Sequence, residues 1–405
     1  MKILLLHNSY GQFSGEEAVV EMQKILLEAH GHTVECYSRS SAGIKGPGGK
    51  INAFFSGFYN ARSIREVREM ISGGQPDIVH IHNLFPLISP AILPLIKSLN
   101  NPSTHQLINS SAHQLISSPA KLVMTIHNYR LICPNGLFFT HDEICERCSG
   151  GREWNCILHN CEYSALKSTG YALRNLWARR RRFYLDNVDA FLCLTEFQKI
   201  KLTENGFPGE RCHILPNFVT PATALTQEFS KPGYVLFAGR LNTQKGFGLL
   251  AQAASLIPDI PVRVAGEGKP DYLKTLSIPV NMELKGKLDT ARMNATYQEA
   301  AFLVFPVRSY EGFPMVFPEA MQHRLPVIAP DMAGFPEIIE DGVNGLLFKP
   351  GDAADLASKI RLLWENKDLR EKLGRAGERK LQTEYSAEVY YKKLMDVYKD
   401  VTRNA

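Results

Sequence analysis

The sequence predicts an α/β protein made of two doubly wound, Rossmann-like domains, and three observations support this fold class. A chain of 405 residues is too long for one hydrophobic core and long enough for two. Short apolar runs alternate with amphipathic helical patterns, which is typical of parallel sheets covered by helices. A looser stretch at residues 220–233 divides the pattern. We therefore place the first domain at residues 1–216 and the second at residues 217–385.

Composition narrows the class of protein further. Hydrophobic residues make up 44% of the chain and charged residues 21%, which excludes disorder on a large scale. The net charge of +5 permits contact with an anionic membrane surface but demands neither lipid nor nucleic acid, and we expect no nucleic-acid partner. The apolar run at residues 3–6 is too short for a signal peptide, and no run approaches the ~20 apolar residues that span a bilayer. We expect a cytoplasmic protein.

The first domain is predicted to contain six buried strands, each a short apolar run. They lie at residues 2–6, 33–37, 77–83, 121–126, 189–194 and 212–215. A helix that begins near Glu16 follows the first strand, and another helix covers residues 168–186. The second helix contains four consecutive arginines at residues 179–182, which is typical of a solvated face. A surface that contacts a membrane or a lipid phosphate is the alternative.

Two stretches of the first domain depart from this alternation. Gly46, Gly48 and Gly49 predict a flexible loop, and the aromatic cluster that follows is interpreted first as core. That cluster contains Phe54, Phe55, Phe58 and Tyr59. The segments 104–111 and 112–119 form an eight-residue repeat that is too short for a solenoid. We interpret it as a surface insertion, which costs little because loop-closure entropy grows slowly with length.

Five of the eight cysteines lie within 29 residues, between Cys133 and Cys161. Cys145 and Cys148 form a C-x-x-C pair, and Cys133 and Cys161 flank it. In a reducing compartment this spacing indicates a structural Zn²⁺ held by these four thiolates. Reduced surface thiols are the alternative, because disulfides are not expected there.

The second domain is predicted to contain strands at residues 234–238, 262–265, 282–284, 302–306 and 326–329. Arg240 and Lys245 follow the first of these, and Glu311 follows the strand at 302–306. Gly312 then turns the chain, Pro314 suits the first turn of a helix, and Glu319 lies inside that helix. Ligands of open α/β sheets bind at the carboxyl ends of the strands. Two carboxylates there suit hydroxyl groups, while a helix start suits phosphate; a sugar nucleotide offers both.

These residues resemble a known family. Two glutamates eight residues apart, in the frame Glu-Gly-Phe-Pro…Pro-Glu-Ala, are similar to the signature of the retaining GT-B glycosyltransferases of the family-four type. The run from Gly239 to Gly246 is a second match. The resemblance implies two Rossmann-like domains that face each other across a cleft, with a terminal helix at residues 386–405 that packs back on the first domain. The chain departs from the commoner form at Pro314, Phe317 and Pro318.

The resemblance also implies roles for individual residues. Glu311 would hold hydroxyls of the donor sugar, and Glu319 would hold the ribose. Arg240 and Lys245 would bind the diphosphate and stabilise the charge that builds on it as the bond to the sugar breaks, so no Mg²⁺ or other catalytic cofactor is required. His127 would line the donor-sugar site. The donor-binding set is completed by Gly15, Gly239, Gly312 and Phe313.

We therefore predict metal-independent transfer of a hexose-type sugar, with retention, from a UDP- or GDP-linked donor to a hydroxyl acceptor. The acceptor is expected to be a saccharide or a lipid-linked molecule of surface polysaccharide or glycolipid biosynthesis, with peripheral membrane contact allowed. Neither glutamate is assigned as a covalent nucleophile. The alternatives are a catalytically silent sugar-nucleotide-binding subunit and a GT-B epimerase or phosphorylase.

Overall fold

The computed structural model describes residues 1–10, 15–44, 46–99, 120–220 and 233–403. They divide into two units. The first comprises Met1–Leu137, Glu146–Asn217 and Tyr390–Ala405, and the second comprises Phe138–Cys145 and Phe218–Val389. The predicted repeat insertion at 104–119 and nearly all of the stretch at 220–233 lie outside the described residues.

The eleven predicted strands are present to within a few residues, and the structure adds short strands at residues 139–140, 143–144 and 345–348 that were not predicted. In chain order they are β1 (Lys2–Ser9), β2 (Thr33–Ser40), β3 (Ile78–Asn83), β4 (Lys121–Ile126), β5 (Phe139–Thr140), β6 (Glu143–Ile144), β7 (Ala190–Cys193), β8 (Cys212–Ile214), β9 (Val235–Ala238), β10 (Val262–Ala265), β11 (Met282–Gly286), β12 (Phe302–Val304), β13 (Val327–Pro330) and β14 (Gly345–Phe348).

Many helices begin at a capping side chain. Asn60, Thr195 and Asp289 each accept the backbone N–H three residues on, which satisfies one of the unpaired donors of the first turn. The helices are α1 (Gly15–Ala29), α2 (Gly46–Ser56), α3 (Ala61–Gly74), α4 (Ile92–Leu99), α5 (Trp154–Leu158), α6 (Ala165–Arg180), α7 (Phe183–Asn187), α8 (Glu196–Glu204), α9 (Phe247–Ser255), α10 (Pro270–Leu273), α11 (Thr290–Glu299), α12 (Val316–Gln322), α13 (Phe335–Ile338), α14 (Ala353–Glu365), α15 (Lys367–Glu384) and α16 (Ala387–Arg403).

Each unit contains a six-stranded parallel sheet. The strand order is β2-β1-β3-β4-β7-β8 in the first unit and β11-β10-β9-β12-β13-β14 in the second. The strand order reverses between β1 and β3 and between β9 and β12, so each sheet has a switch point where parallel α/β folds bind ligands. The central strands are buried on both faces, which explains the apolar sequences of β9 and β12 and the largely apolar sequence of β4. β3 is equally buried but carries His80, His82 and Asn83. The predicted fold class is confirmed.

A helix occupies the segment predicted to be a glycine-rich loop. Residues of α2 pack on α6, where a Cβ added at Gly170 would lie 2.5 Å from the ring of Phe54. This tertiary contact outweighs the poor helix propensity of the glycines. The interpretation of the aromatic cluster as core is wrong for Phe55 and Tyr59, which are 63% and 60% exposed. Phe54 and Phe58 are half-buried, and the ring of Phe58 lies 5.7 Å from that of Trp177.

The predicted helix at 168–186 is two helices. The break falls at Arg182, whose φ of 52° is left-handed, so the four arginines do not share one helix. Arg179 instead donates to Glu153 at 2.6 Å.

The terminal helix α16 contributes to the first unit from Tyr390 onward. The hydroxyl of Tyr398 lies 2.6 Å from Nδ1 of His80, and the hydroxyl of Tyr390 donates to Gln23 at 3.0 Å. Within the described residues, no helix combines the length and the apolarity needed to cross a bilayer.

Candidate functional site

In the second unit, the loop after β9 and the loop after β12 meet at the switch point. Nζ of Lys245 donates to Oε1 of Glu311 at 2.6 Å, and both side chains are less than one-fifth exposed. The same ammonium lies 5.4 Å from the ring centroid of Phe305. The structure therefore brings together one predicted diphosphate ligand and the predicted sugar-binding carboxylate.

Gly246 makes this approach possible. It adopts a φ of +72° and caps α9, and a Cβ at this position would lie 1.7 Å from the carbonyl oxygen of Pro306. Only glycine lets the Lys245 loop pass so close to the end of β12. The amide of Lys245 donates to Oδ1 of Asn242 at 2.8 Å, which fixes the turn.

The other donor residues predicted in the second unit lie along the same edge of the sheet. Gly239, with a φ of +155°, directly follows β9, and Arg240 after it is exposed. Gly312 is buried, and the buried ring of Phe313 packs 5.1 Å from the ring of Tyr385. The side chain of Phe313 therefore belongs to the core.

Glu319 lies in the first turn of α12, which begins at Val316, so Pro314 precedes the helix. The hydroxyl of Tyr297 donates to Oε2 of Glu319 at 2.7 Å, and the Tyr297 ring stacks on His323. Burial raises the pKa of Glu319, and the hydrogen bond from Tyr297 opposes that rise. One carboxylate oxygen is thus held by α11.

In the first unit, two histidines lie at the carboxyl edge of the sheet, His82 near the end of β3 and His127 directly after β4. Nδ1 of His82 lies 2.9 Å from Nε2 of His127, and the two rings stack. Burial lowers the pKa of His127 to about 3, with a smaller contribution from His7. The predicted sugar-binding His127 is therefore a neutral imidazole at physiological pH. His80, by contrast, is held by Thr125 and Tyr398, which indicates a structural role.

Two residues beside these histidines were missed by the sequence analysis. Glu16, in the first turn of α1, lies 3.6 Å from Nδ1 of His7. Within the described chain, Oε1 of Glu16 and both ring nitrogens of His7 are buried without a hydrogen-bond partner. Burial raises the pKa of Glu16 to about 8, against the opposing charge of Arg130. Gly15, the exposed first residue of α1, adjoins this group.

Arg130 and Arg174 were also missed. The guanidinium of Arg174 lies 3.8 Å from the ring centroid of Phe85 and 4.7 Å from that of Tyr171, and Arg130 lies 5.6 Å from Tyr171. Burial, together with the charge of Arg130, lowers the pKa of Arg174 to about 10, so it stays charged. A cation–π contact contributes about 0.5–2 kcal/mol, whereas burying an ion costs several kcal/mol. The aromatic contacts alone do not offset that cost.

The cysteine cluster differs from the predicted ligand set. Buried Cys148 and Cys156 pack together with Cys161 and Ala172. A hydrogen bond with Cys161 and then burial raise the pKa of Cys156, which was not among the predicted ligands. Cys145 falls in the second unit. Across the described ranges, no group of three or more His, Cys, Asp or Glu side chains is arranged to hold a metal ion. The zinc site stays a prediction.

Comparison with known protein families shows which family this chain belongs to. Residues 13–223 match Glycosyltransferase Family 4, and residues 224–380 match Glycosyl transferases group 1. The chain belongs to the family 4 glycosyltransferases. The predicted glycosyltransferase family is therefore confirmed, while retention stays a prediction. The two matches meet close to the boundary between the two units.

Named relatives of this glycosyltransferase match about half of its length. It is 31% identical to an uncharacterized glycosyltransferase of Methanocaldococcus jannaschii over 55% of this chain and 62% of that protein. It is 30% identical to a phosphatidyl-myo-inositol mannosyltransferase of Mycobacterium leprae over 41% and 46%, respectively. It is 27% identical to a capsular polysaccharide biosynthesis glycosyltransferase of Staphylococcus aureus over 50% and 52%. The chain thus spans less than two-thirds of the length of each relative.

Solved structures share the GT-B fold of this glycosyltransferase. An Anabaena protein in complex with UDP-glucose, HepE, superposes with a TM-score of 0.63 at 16% identity, covering 99% of this chain and 100% of that chain. At this identity the likeness concerns the fold.

Proposed function

We propose that this glycosyltransferase transfers a hexose-type sugar, with retention, from a UDP- or GDP-linked donor to a hydroxyl of a saccharide or lipid-linked acceptor. The observation that carries the proposal is the contact of 2.6 Å between Lys245 and Glu311 at the switch point of the second sheet. A cation beside a carboxylate suits the junction of a diphosphate and a sugar. The relatives named for mannosyl transfer and capsular polysaccharide, and the relative in complex with UDP-glucose, support the same class of substrates.

The donor would lie along the carboxyl edge of the second sheet, with its diphosphate on the two cations and its hydroxyl groups on the two glutamates. Lys245 would move from Glu311 to the diphosphate and, with Arg240, stabilise the negative charge that develops on the leaving group. Glu311 would then accept hydrogen bonds from sugar hydroxyls. Glu319 keeps one oxygen on Tyr297 and can offer the other to the ribose. Two cations that supply this stabilisation make a divalent ion unnecessary for the step.

In the first unit, His127 is suited to a neutral hydrogen bond with a sugar hydroxyl, because its imidazole is uncharged. No carboxylate is assigned as a nucleophile. We infer a same-face reaction in which the departing phosphate takes the proton of the acceptor hydroxyl.

We also propose that the protein works in the cytoplasm against a membrane surface. Exposed apolar side chains of the first unit support this contact: Trp154 is 54% exposed and Leu158 is 73% exposed, both on α5, and exposed arginines lie at the end of α6. The structural zinc ion remains part of the proposal, and purified protein without stoichiometric zinc or iron would reject it.

A transfer assay with UDP-, GDP- and ADP-sugars tests the function. Replacing Arg240 with alanine or Glu311 with glutamine should lower kcat about 10²–10³-fold, the usual loss when one electrostatic contact of a transition state is removed. Arg361→Ala is the control, because Arg361 pairs with Asp259 on an exposed surface. Added EDTA should leave the rate unchanged. Full activity of both site variants would show that the site is wrongly placed.

The same sugar nucleotides distinguish an active transferase from a catalytically silent binding subunit. A silent subunit would show a rise in melting temperature with one sugar nucleotide, but no turnover with any acceptor.

A further inference from the structure

Two arginines of the first unit, buried Arg174 and half-buried Arg130, carry buried N–H donors that nothing in the described chain accepts. Nε and Nη2 of Arg174 and Nε of Arg130 are buried without a hydrogen-bond partner in the described residues. The hydroxyl of Tyr184 is buried in the same state. The guanidinium groups of Arg130 and Arg174 lie 5.6 Å and 4.7 Å from the centroid of the same Tyr171 ring, and Arg130 and Tyr184 line one cavity.

No carboxylate forms a close ion pair with either arginine. In the parts of the chain that the structure describes, neither Arg130 nor Arg174 has a carboxylate oxygen within 4.0 Å. The charge of Glu162 acts on both arginines from beyond that distance, and burial raises the pKa of Glu16 to about 8, which keeps it mostly protonated at neutral pH. Two positive charges therefore share a poorly solvated region in which no carboxylate accepts their free N–H groups. Such an arrangement is costly unless an anion enters it.

The geometry is prearranged for an oxyanion. The aromatic faces of Phe85 and Tyr171 hold the guanidinium plane of Arg174, which fixes the direction of its N–H edge. Arg130 follows β4 and is only half-buried, so a ligand can reach this pair of arginines from the side of Arg130. Arg130 and Tyr184 also line one cavity, whose wall carries Arg182 and the ion pair of Arg179 with Glu153.

We propose that Arg130 and Arg174 bind a phosphate group of the acceptor, with the hydroxyl of Tyr184 as a third donor. Two guanidinium groups match the double negative charge and the several oxygens of a phosphate better than they match a single carboxylate. This assignment rests on the proposed transfer reaction, because it places the acceptor in the first unit. The phosphate can belong to a lipid headgroup or to a soluble sugar phosphate.

Binding of inorganic pyrophosphate, measured by calorimetry with the full chain, tests the site without any transfer step. Because pyrophosphate can also occupy the donor site, all measurements use an Arg240→Ala background. Arg130→Gln should weaken binding at least tenfold, and the matched control Arg180→Gln, an exposed cation at the end of α6, should not. Arg174→Lys keeps the positive charge but loses the paired N–H donors of the guanidinium, so it should weaken binding by a smaller factor. This conservative variant guards against a loss of binding that arises only from failure to fold.

Vesicles identify the source of the phosphate. Phosphatidylcholine vesicles with and without phosphatidic acid are sedimented with the parent and with Arg130→Gln. Retention on phosphatidic acid that Arg130→Gln abolishes assigns the site to a lipid headgroup, and pyrophosphate binding without such retention assigns it to a soluble phosphate. If Arg130→Gln binds pyrophosphate as tightly as the parent, the proposal is overturned. A failed transfer assay with the unmodified chain, together with intact pyrophosphate binding in the Arg240→Ala background, would instead reject only the proposed function.

Discussion

The Tyr297–Glu319 hydrogen bond tests the nucleotide site at the scale of single residues. We expect Tyr297→Phe to raise KM for the donor about five- to thirtyfold with little change in kcat, because losing one hydrogen bond to a buried carboxylate costs about 1–2 kcal/mol. Steady-state kinetics with the preferred sugar nucleotide measures this.

Tyr234→Phe is the matched control for that experiment. Its hydroxyl donates to the carbonyl oxygen of Thr296 on the same helix at 2.7 Å, without contacting Glu319. It should lower the melting temperature and leave KM unchanged. Equal KM values for the two variants would separate Glu319 from nucleotide binding.

Glu16 makes stability depend on pH. Its pKa is about 8 in the folded chain and 4.5 as a free side chain. Between these values the folded state binds more protons than the unfolded state, so the free energy of unfolding falls as pH rises from about 5 to 8. Each pKa unit corresponds to about 1.4 kcal/mol. Glu16→Gln removes this loss and should gain stability relative to the parent across that window.

Urea unfolding at pH 5, 6.5 and 8 measures this difference. Burial lowers the pKa of the neighbouring His7, His80, His82 and His127, which gives the opposite trend below pH 6.5. Because His7 lies 3.6 Å from Glu16, its contribution differs between the two proteins, so the comparison is decided toward pH 8, where the histidines are neutral in the folded and the unfolded chain. Glu21→Gln, an exposed change on the same helix, is the control. A difference between parent and Glu16→Gln that does not vary with pH would show that Glu16 is not the titrating group.

At the scale of elements, the strands could be predicted because a parallel strand buried on both faces is an unbroken apolar run. The helices were harder. The sequence at residues 46–56 contains three glycines, and only contact with α6 makes it helical. The break at Arg182 has no sequence signal, since arginine rarely adopts a left-handed φ.

Alanine substitutions at Gly246 and Gly342 distinguish the cost of backbone strain from the cost of steric overlap. Both have a φ of +72°, but a Cβ on Gly342 would meet nothing within 4 Å, whereas one on Gly246 would overlap the carbonyl of Pro306. Gly342→Ala should therefore cost about 1–2 kcal/mol of unfolding free energy.

Gly246→Ala carries the same strain and must also displace the end of β12, so we expect a loss of more than about 3 kcal/mol. Donor turnover should fall as well, because the displaced loop carries Lys245. Chemical unfolding and the transfer assay report the two effects. Equal stabilities of the two alanine variants would show that the loop yields without cost.

At the scale of the whole molecule, the candidate site was predictable where the motif is local. Lys245 and Glu311 are 66 residues apart, yet each follows a recognisable strand, so the sheet brings them together. Arg130 and Arg174 were missed because the exposed run at 179–182, which begins at the end of α6 and continues beyond it, dominates the charge pattern of this segment. The spacing of three between Tyr171 and Arg174 was the available signal, since residues three apart share a helix face.

A deletion of residues 390–405 tests whether the first unit depends on α16. These residues belong to the first unit although they follow the second unit in the sequence. Removing them would leave His80 and Gln23 without the hydroxyls of Tyr398 and Tyr390, and it would expose the surface of the first unit that the buried side chains of α16 cover. We expect amide protection in β1, β3 and β4 to collapse while β9 and β12 of the second unit stay protected, as measured by hydrogen exchange with mass spectrometry.

Tyr398→Phe refines that test, because it deletes one hydroxyl and keeps the packed ring. It leaves a fully buried His80 nitrogen with one fewer partner, which should cost about 1–3 kcal/mol. Faster exchange should therefore appear in the first unit alone. Uniform loss of protection across both sheets would mean that the two units unfold as one cooperative body, and unchanged protection in β1 and β3 would mean that α16 contributes little to the first unit.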